Sequence, residues 1–169
     1  MFLIGCYTGL RFSDISKLAK NNLTAKGTMS IRTTKTKSVI EVPVNPVVKL
    51  IFEKYKYKLP RVVSNSLFNE RIRTVCQIAG INEHITTEIT KGSIRTPQTE
   101  PKYNLVSSHT ARRSFATNAY IANVPAISIM KITGHKTEVA FMKYIKISQE
   151  DNARKLMKHD FFTQLIIAK

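Results

Sequence analysis

The sequence has little of what a secreted or membrane protein needs. It contains only two cysteines, Cys6 and Cys76, and both lie among apolar residues, which favours reduced, buried thiols over a disulfide framework. No apolar run approaches the ~20 residues of a membrane span. The apolar opening segment, residues 1–10, lacks the basic leader and the cleavage site of a signal peptide. We therefore expect a protein that is neither secreted nor membrane-spanning.

The sequence is also poor in acidic residues. It has 11 Asp and Glu against 27 Lys and Arg, which gives a formal net charge of +16. A soluble protein with this balance is expected to bind a polyanion, and nucleic acid is the first candidate. Better solubility, a ribosomal role or a membrane-surface role are the alternative explanations of the charge.

Metal ligands at a suitable spacing are missing as well. The four histidines, His84, His109, His135 and His159, do not have the spacing of zinc ligands, and no cysteine pair lies near them. The sequence therefore predicts no metal site and no metal catalysis.

The chain does have enough apolar residues for one domain. With 169 residues, of which 43% are hydrophobic, it can bury a sizeable core in a single unit. Residues 2–7 are typical of the last turns of a helix already in progress, so we expect the chain to lack the N-terminal part of a longer protein.

The N-terminal half is predicted to contain helices and one β-hairpin. β-branched residues interrupted by a polar segment indicate the hairpin, and Pro43 and Pro46 end it. The predicted elements are a helix ending at the Thr8-Gly9 turn, a short helix capped by Ser13 or Asp14 and ending at Leu18, a hairpin within residues 29–44, and helices over residues 47–57 and 67–79.

The C-terminal half is predicted to be helical after an insertion. Residues 81–106 contain Thr, Gly and two prolines without a helical period, which indicates an irregular stretch or a β-hairpin. The predicted helices run from Ser107 or Ser108 to Ala122, from Val124-Pro125 to Gly134, over residues 137–147, and from a capping box of Ser148 and Asp151 to Lys158.

Two short segments place a guanidinium where it could bind an anion. Arg11 follows a Gly-containing turn between helices and could hold a phosphate through two parallel hydrogen bonds, while Asp14, one helical turn later, could orient it. His109 and Arg112 share a helix face and would favour an anion over a metal cation. A surface arginine, a helix N-terminal charge and a core histidine are the alternative interpretations.

Two lysines stand in the turn of the predicted hairpin. Lys35 and Lys37 could each reach into DNA as a proton donor or as a point charge. Solvated loop lysines are the more common case.

Together with Gly134-His135 and Tyr144, these segments resemble the tyrosine recombinases, the family of phage and conjugative-transposon integrases. That family shows an Arg, a hairpin Lys, His-x-x-Arg, Gly-His and a Tyr in this order. Its final His and Tyr are typically nine residues apart, as they are here. Its hairpin lysine usually precedes a Val-Pro strand end by eight residues, which favours Lys35 over Lys37. The most similar segments are Thr8-Gly9-Leu10-Arg11-Phe12-Ser13-Asp14, Ser108-His109-Thr110-Ala111-Arg112-Arg113-Ser114-Phe115-Ala116 and Gly134-His135-Lys136-Thr137.

The resemblance implies a mainly α catalytic domain with a small antiparallel β-sheet, and the pattern of elements agrees with it. It implies that Tyr144 attacks a DNA phosphate to form a 3′-phosphotyrosyl link, with neither metal nor cofactor required. An aromatic core residue is the alternative for Tyr144. The remaining implied roles are charge stabilisation by Arg11, Arg112 and His135, a general base in His109, a general acid in Lys35, and support from Asp14 and Lys37.

The resemblance also implies the partners and the setting. We expect double-stranded DNA as the substrate, the bacterial cytoplasm as the location, and a tetramer on DNA in the full-length protein. The apolar C-terminal tail, with Phe161, Phe162, Leu165, Ile166 and Ile167, would dock on a neighbouring protomer or fold back on its own domain. The N-terminal core-binding domain of the family is absent from residues 1–169.

Two other functions remain open on the sequence. A type IB topoisomerase shares the fold and the tyrosine chemistry but relaxes supercoils, although the Gly-His segment favours a recombinase. A non-catalytic DNA-binding module derived from an integrase would keep the basic charge without the reaction.

Overall fold

The computed structural model describes residues 1–61, 63–92, 94–157 and 159–163. Helices predominate in these residues, and the strands form two separate two-stranded antiparallel sheets. The elements are α1 (Phe2–Thr8), α2 (Phe12–Ile15), a 3-10 turn (Lys20–Asn22), β1 (Thr28–Arg32), β2 (Val39–Pro43), α3 (Pro46–Lys54), α4 (Asn65–Ile78), β3 (His84–Lys91), β4 (Ile94–Pro101), a second 3-10 turn (Lys102–Leu105), α5 (Ser108–Ile121), α6 (Ala126–Thr133), α7 (Glu138–Tyr144), α8 (Gln149–Leu156) and α9 (Asp160–Thr163).

The short helix α2 differs from its prediction. It begins at Phe12 after an extended Arg11 and ends at Ile15 rather than at Leu18. The predicted cap at Ser13 or Asp14 is wrong, because both residues lie inside the helix. The Asp14 carboxylate instead accepts a hydrogen bond of 2.7 Å from the backbone N–H of Thr34 in the first hairpin.

The first hairpin and the helix after it follow the sequence closely. β1 pairs with β2 in the antiparallel register Ile31↔Ile40, and the proline pair marks the end as expected. Asn45 caps α3 by accepting from the N–H of Val47 at 2.9 Å. The helix ends at Lys54, earlier than predicted, because the backbone reverses through positive φ at Lys56 and Tyr57.

The insertion is a β-hairpin, which confirms the second of the two alternatives. β3 pairs with β4 over their full length, and the hydroxyls of Thr86 and Thr99 lie 2.8 Å apart across the strands. β3 alternates between half-buried residues, namely Ile85, Thr87 and Ile89, and exposed residues, but no residue of the hairpin whose burial is described is fully buried, so its apolar signal in the sequence is weak.

Some ends of the C-terminal helices lie at the expected capping residues, and others do not. The predicted capping box is confirmed, since Ser148 Oγ accepts from the N–H of Asp151 at 3.0 Å. Gly134, with φ of 66°, closes α6. α7 ends at Tyr144 and not at residue 147, because Ile145 is extended. The predicted end of the last helix at Lys158 lies outside the described residues.

Two hydrophobic clusters form the core. The first cluster joins α1, α2, the first hairpin and α3 through residues that include Ile4, Leu10 and Phe52, and the second joins α5, α6 and α7 around Ile129 and Phe141. Helix α5 also packs on α1, where Gly5 leaves room that a Cβ atom would fill to within 3.0 Å of Ala111. The first helix is thus held against the helix that carries His109 and Arg112.

None of the helices in the described residues has the length and apolar character required to cross a membrane.

Candidate active site

The turn between α1 and α2 presents Arg11. Gly9 adopts φ of 65° at the end of α1, and a Cβ atom there would lie 2.3 Å from the Phe115 ring, so glycine is required by both conformation and space. The turn buries Leu10 and leaves the Arg11 guanidinium free to donate to the carbonyl oxygen of Thr133 at 3.4 Å.

Arg112 lies beside this turn and is almost fully buried. It is 4% exposed, and its guanidinium donates to the carbonyl oxygen of Gly9 at 2.6 Å. Burial, followed by the positive charge of Arg11, lowers the pKa of Arg112 to about 10. Two like charges held close together at one buried place favour an anionic ligand between them.

Tyr144 stands at the end of α7, next to both histidines of the candidate set. Its hydroxyl lies 3.0 Å from Nδ1 of His109, and its ring centroid is 4.8 Å from that of His135. Burial raises the pKa of the Tyr144 phenol, while the positive charges of Arg112 and Arg113 oppose that rise.

The two histidines are held neutral by their surroundings. Partial desolvation, followed by the charges of nearby arginines, lowers the pKa of His109 and that of His135 below the usual 6.5. A neutral His109 has a lone pair free to accept the phenolic proton of Tyr144. His135 instead has its Nδ1 2.8 Å from the hydroxyl oxygen of Thr133.

No side-chain hydrogen bond or ion pair in the described residues links the hairpin lysines or Asp14 to this cluster, although the Asp14 charge opposes the lowering of the Arg112 pKa. Lys35 and Lys37 are exposed in the β1–β2 turn, and neither makes an ion pair with a described residue. The role of Asp14 in orienting Arg11 stays a prediction; its carboxylate, which is 3% exposed, accepts a hydrogen bond from the N–H of Thr34. Asp14 therefore fastens the hairpin that carries Lys35 to the helix that follows Arg11.

Two residues of the cluster were not predicted from the sequence. The Arg113 guanidinium lies 5.5 Å from the Tyr144 ring centroid, in a cation–π arrangement. Thr133 contacts both Arg11 and His135. Arg113 follows Arg112 directly and Thr133 precedes Gly134-His135 directly, so adjacency to a motif was the available signal.

Open space lies on both sides of His109. A cavity of about 380 Å³ is lined by Arg11, Arg112 and His109, and another of about 450 Å³ by His109, Arg113 and Tyr144. A larger cavity, about 830 Å³, is lined by Cys6 and Cys76 and reaches Arg113, but it includes none of Arg11, His109, Arg112 and Tyr144. We place the site at the cations and the phenol, because size alone does not supply chemistry.

In the described part of the chain, no group of three or more His, Cys, Asp or Glu side chains is arranged to hold a metal ion. The positive charge of the site comes from side chains.

A family model matches most of the chain. Residues 1–151 match the model described as "Phage integrase family". No curated protein matches the sequence.

Several solved structures are similar in fold. XerA recombinase is 16% identical with a TM-score of 0.68, and the matched region covers 92% of this chain and 55% of that one. The Tn1549 transposon integrase in complex with circular intermediate DNA is 17% identical with a TM-score of 0.55, at 94% and 56% coverage. The catalytic domain of bacteriophage HP1 integrase is 21% identical with a TM-score of 0.54, at 96% and 83% coverage. The predicted fold class is confirmed, and this chain spans about half the length of the first two proteins.

Proposed function

The chain belongs to the phage integrase family, and from that membership we propose that it catalyses site-specific DNA recombination, as integration or excision, through a 3′-phosphotyrosyl intermediate. The observation that carries the proposal is the Tyr144 hydroxyl, 3.0 Å from His109 Nδ1, among the charges of Arg11, Arg112 and Arg113. A nucleophile, a base and cations at one place are what phosphoryl transfer needs.

In the proposed cleavage step, the Tyr144 oxygen attacks the scissile phosphorus and the bond from phosphorus to the 5′-oxygen breaks. The phenolic proton passes to His109, and the departing 5′-oxygen takes a proton from Lys35. One phosphodiester replaces another, so the bond energy is kept and the free 5′-hydroxyl of a partner strand can reverse the step. No metal or cofactor is part of the proposed reaction.

The charge that gathers on the non-bridging oxygens is assigned to three donors. Arg11 and Arg112 line the 380 Å³ cavity, and the His135 ring packs against the Tyr144 ring. Preorganised donors of this kind each lower a barrier by about 3 kcal/mol. Their fixed positions, with Arg112 held by Gly9 and Arg11 by Thr133, support this role.

Lys35 requires the hairpin to approach DNA. The side chain lies at an exposed turn, and the hairpin is tied to α2 through Asp14 and Thr34. We assign to Asp14 the support of this hairpin, and to Lys37, at φ of 57° in the same turn, the shape of the turn and a charge toward DNA.

The partner is double-stranded DNA, on which the full-length protein would assemble as a tetramer in the bacterial cytoplasm. The net charge of +16 supports duplex binding that weakens steeply with salt. Residues 1–169 act as one catalytic domain, joined in the full-length protein to a core-binding domain. Of the apolar tail, Phe161 and Phe162 are exposed and available for a neighbouring protomer, while Leu165, Ile166 and Ile167 lie outside the described residues.

A suicide DNA substrate tests the reaction. Wild-type protein, joined to its core-binding domain, is expected to form a covalent adduct with DNA that survives SDS. Mass spectrometry should map the phosphotyrosyl peptide to Tyr144. Tyr144→Phe should bind DNA and form no adduct, and Tyr120→Phe serves as the matched control. DNA binding without any adduct in the wild type would instead favour a non-catalytic DNA-binding module. Relaxation of a supercoiled plasmid without exchange between two sites would favour a type IB topoisomerase.

A further inference from the structure

Resting on the proposed function, we propose that Thr133 is a positioning residue that holds His135 with its proton on Nδ1, so that the ring can donate to a DNA phosphate only as an imidazolium. Thr133 is the last residue of α6 and is fully buried. No role for its side chain was expected from the sequence motifs.

The Thr133 hydroxyl has a single proton to donate. Its Oγ1 lies 2.8 Å from the carbonyl oxygen of Ile129 and 2.8 Å from Nδ1 of His135. A carbonyl oxygen only accepts, so the threonine proton points to Ile129. Oγ1 must then accept from His135, which places a proton on Nδ1.

The free ring nitrogen of His135 is therefore Nε2. In the neutral ring this atom carries a lone pair, and a phosphate oxygen offers only lone pairs, so the two cannot bond. Protonation at Nε2 turns it into a donor while Nδ1 keeps its bond to Thr133. Binding of a phosphate at His135 is thereby coupled to the uptake of one proton.

The groups around His135 determine the pH at which Nε2 is protonated. Burial, followed by the charges of Arg112, Arg11 and His109, lowers the pKa of the ring. The Tyr144 ring lies tilted against it, with the centroids 4.8 Å apart. The ring is thus neutral in the free protein near pH 7. A phosphate among the same cations offsets their charge and favours the imidazolium.

Thr133 also contacts Arg11, but through its backbone. Its carbonyl oxygen accepts from the Arg11 guanidinium at 3.4 Å, and Gly134 leaves space there, since a Cβ atom would lie 3.5 Å from the nearest Arg11 nitrogen. A change of the Thr133 side chain keeps this carbonyl, so Thr133→Val removes the hydroxyl bond to His135 while Arg11 retains its acceptor.

The test is the protonation state of His135, followed by ¹⁵N NMR in the DNA-free chain. We expect the wild type and Thr133→Ser to show the Nδ1–H form when neutral, and Thr133→Val to shift toward the Nε2–H form with a lower His135 pKa. Sodium sulfate, a tetrahedral anion that does not titrate near pH 7, is expected to raise the His135 pKa in the wild type and to raise it less in Thr133→Val.

Two results of the NMR experiment would overturn the proposal. One is an Nε2–H tautomer for neutral His135 in the wild type, a measurement that needs no variant to fold. The other is a sulfate-bound wild type in which the His135 pKa does not rise. Thermal unfolding of both variants checks that the valine form is folded.

A separate experiment keeps this inference apart from the proposed function. On the suicide substrate, Thr133→Val is expected to cleave about tenfold more slowly than Thr133→Ser, by analogy with partners that orient ligand histidines. If the NMR results hold but the wild type cleaves no DNA, the tautomer assignment stands and the recombination proposal fails. Equal cleavage rates in the two variants would refute the positioning role of Thr133.

Discussion

The guanidinium of Arg112 donates a 2.6 Å hydrogen bond to the carbonyl oxygen of Gly9, and this bond joins the helix of the His-x-x-Arg motif to the turn that precedes Arg11. The turn exists because Gly9 adopts positive φ with the Phe115 ring packed directly on its Cα. The relative position of the two arginines therefore depends on a residue that carries no side chain.

Replacement of Gly9 should destabilise the fold strongly. Gly9→Ala introduces backbone strain and a clash with Phe115, for a loss of about 3 kcal/mol in the free energy of unfolding. Gly27→Ala is the matched control, because Gly27 has φ of 75° and nothing within 4 Å of a Cβ atom, so only strain of about 1 kcal/mol is expected. Urea unfolding measures both, and equal losses would contradict the role of Phe115.

Arg113 should lower the pKa of Tyr144. Its cation lies over the phenol ring and stabilises the phenolate, so Arg113→Gln is expected to raise the Tyr144 pKa further and to move DNA cleavage to higher pH. ¹³C NMR of labelled tyrosine, assigned with Tyr144→Phe, gives the titration. Arg113→Lys keeps the charge and should change the Tyr144 pKa less than Arg113→Gln does. A Tyr144 pKa that falls in Arg113→Gln would contradict the proposed effect of the Arg113 charge.

Asp14 should hold the base of the first hairpin. Asp14→Ala removes the acceptor for the Thr34 N–H, which should speed hydrogen exchange at that amide and cost about 1–3 kcal/mol of stability. Asp14→Asn retains an acceptor oxygen and should protect the amide better. If hydrogen exchange at the Thr34 amide were unchanged in Asp14→Ala, this hydrogen bond would not be what holds the base of the hairpin.

Cleavage should lose rate in acid as His109 becomes protonated. The pKa of His109 is lowered by desolvation and by Arg112, Arg113 and Arg11, so the neutral base is present above a midpoint that lies below 6.5. Single-turnover cleavage should rise with pH through that midpoint and level off above it, once His109 is fully neutral. His109→Asn should remove the acidic limb, and a limb that persists in this variant would assign it to another residue.

The motifs predicted the elements better than they predicted the contacts between them. Helix ends were recoverable where one residue decides them locally, as at Gly134 and at the Ser148 capping box. The role of Asp14 was not, because its partner Thr34 lies 20 positions away. Arg113 was missed for the same reason, since its partner Tyr144 lies on another helix. Thr133 is only two residues from His135, but the sequence does not show that its hydroxyl points at that ring.

The candidate site is shared between the two hydrophobic clusters. Arg11 extends from the first cluster beside Leu10, and Tyr144 packs on the second beside Phe141. The 3.4 Å hydrogen bond from Arg11 to the carbonyl oxygen of Thr133 connects the two clusters. A small slip of one half against the other would part the guanidinium from the phenol and leave both cores intact. The reacting groups therefore meet only when the two hydrophobic clusters are correctly aligned, even if each cluster is well packed by itself.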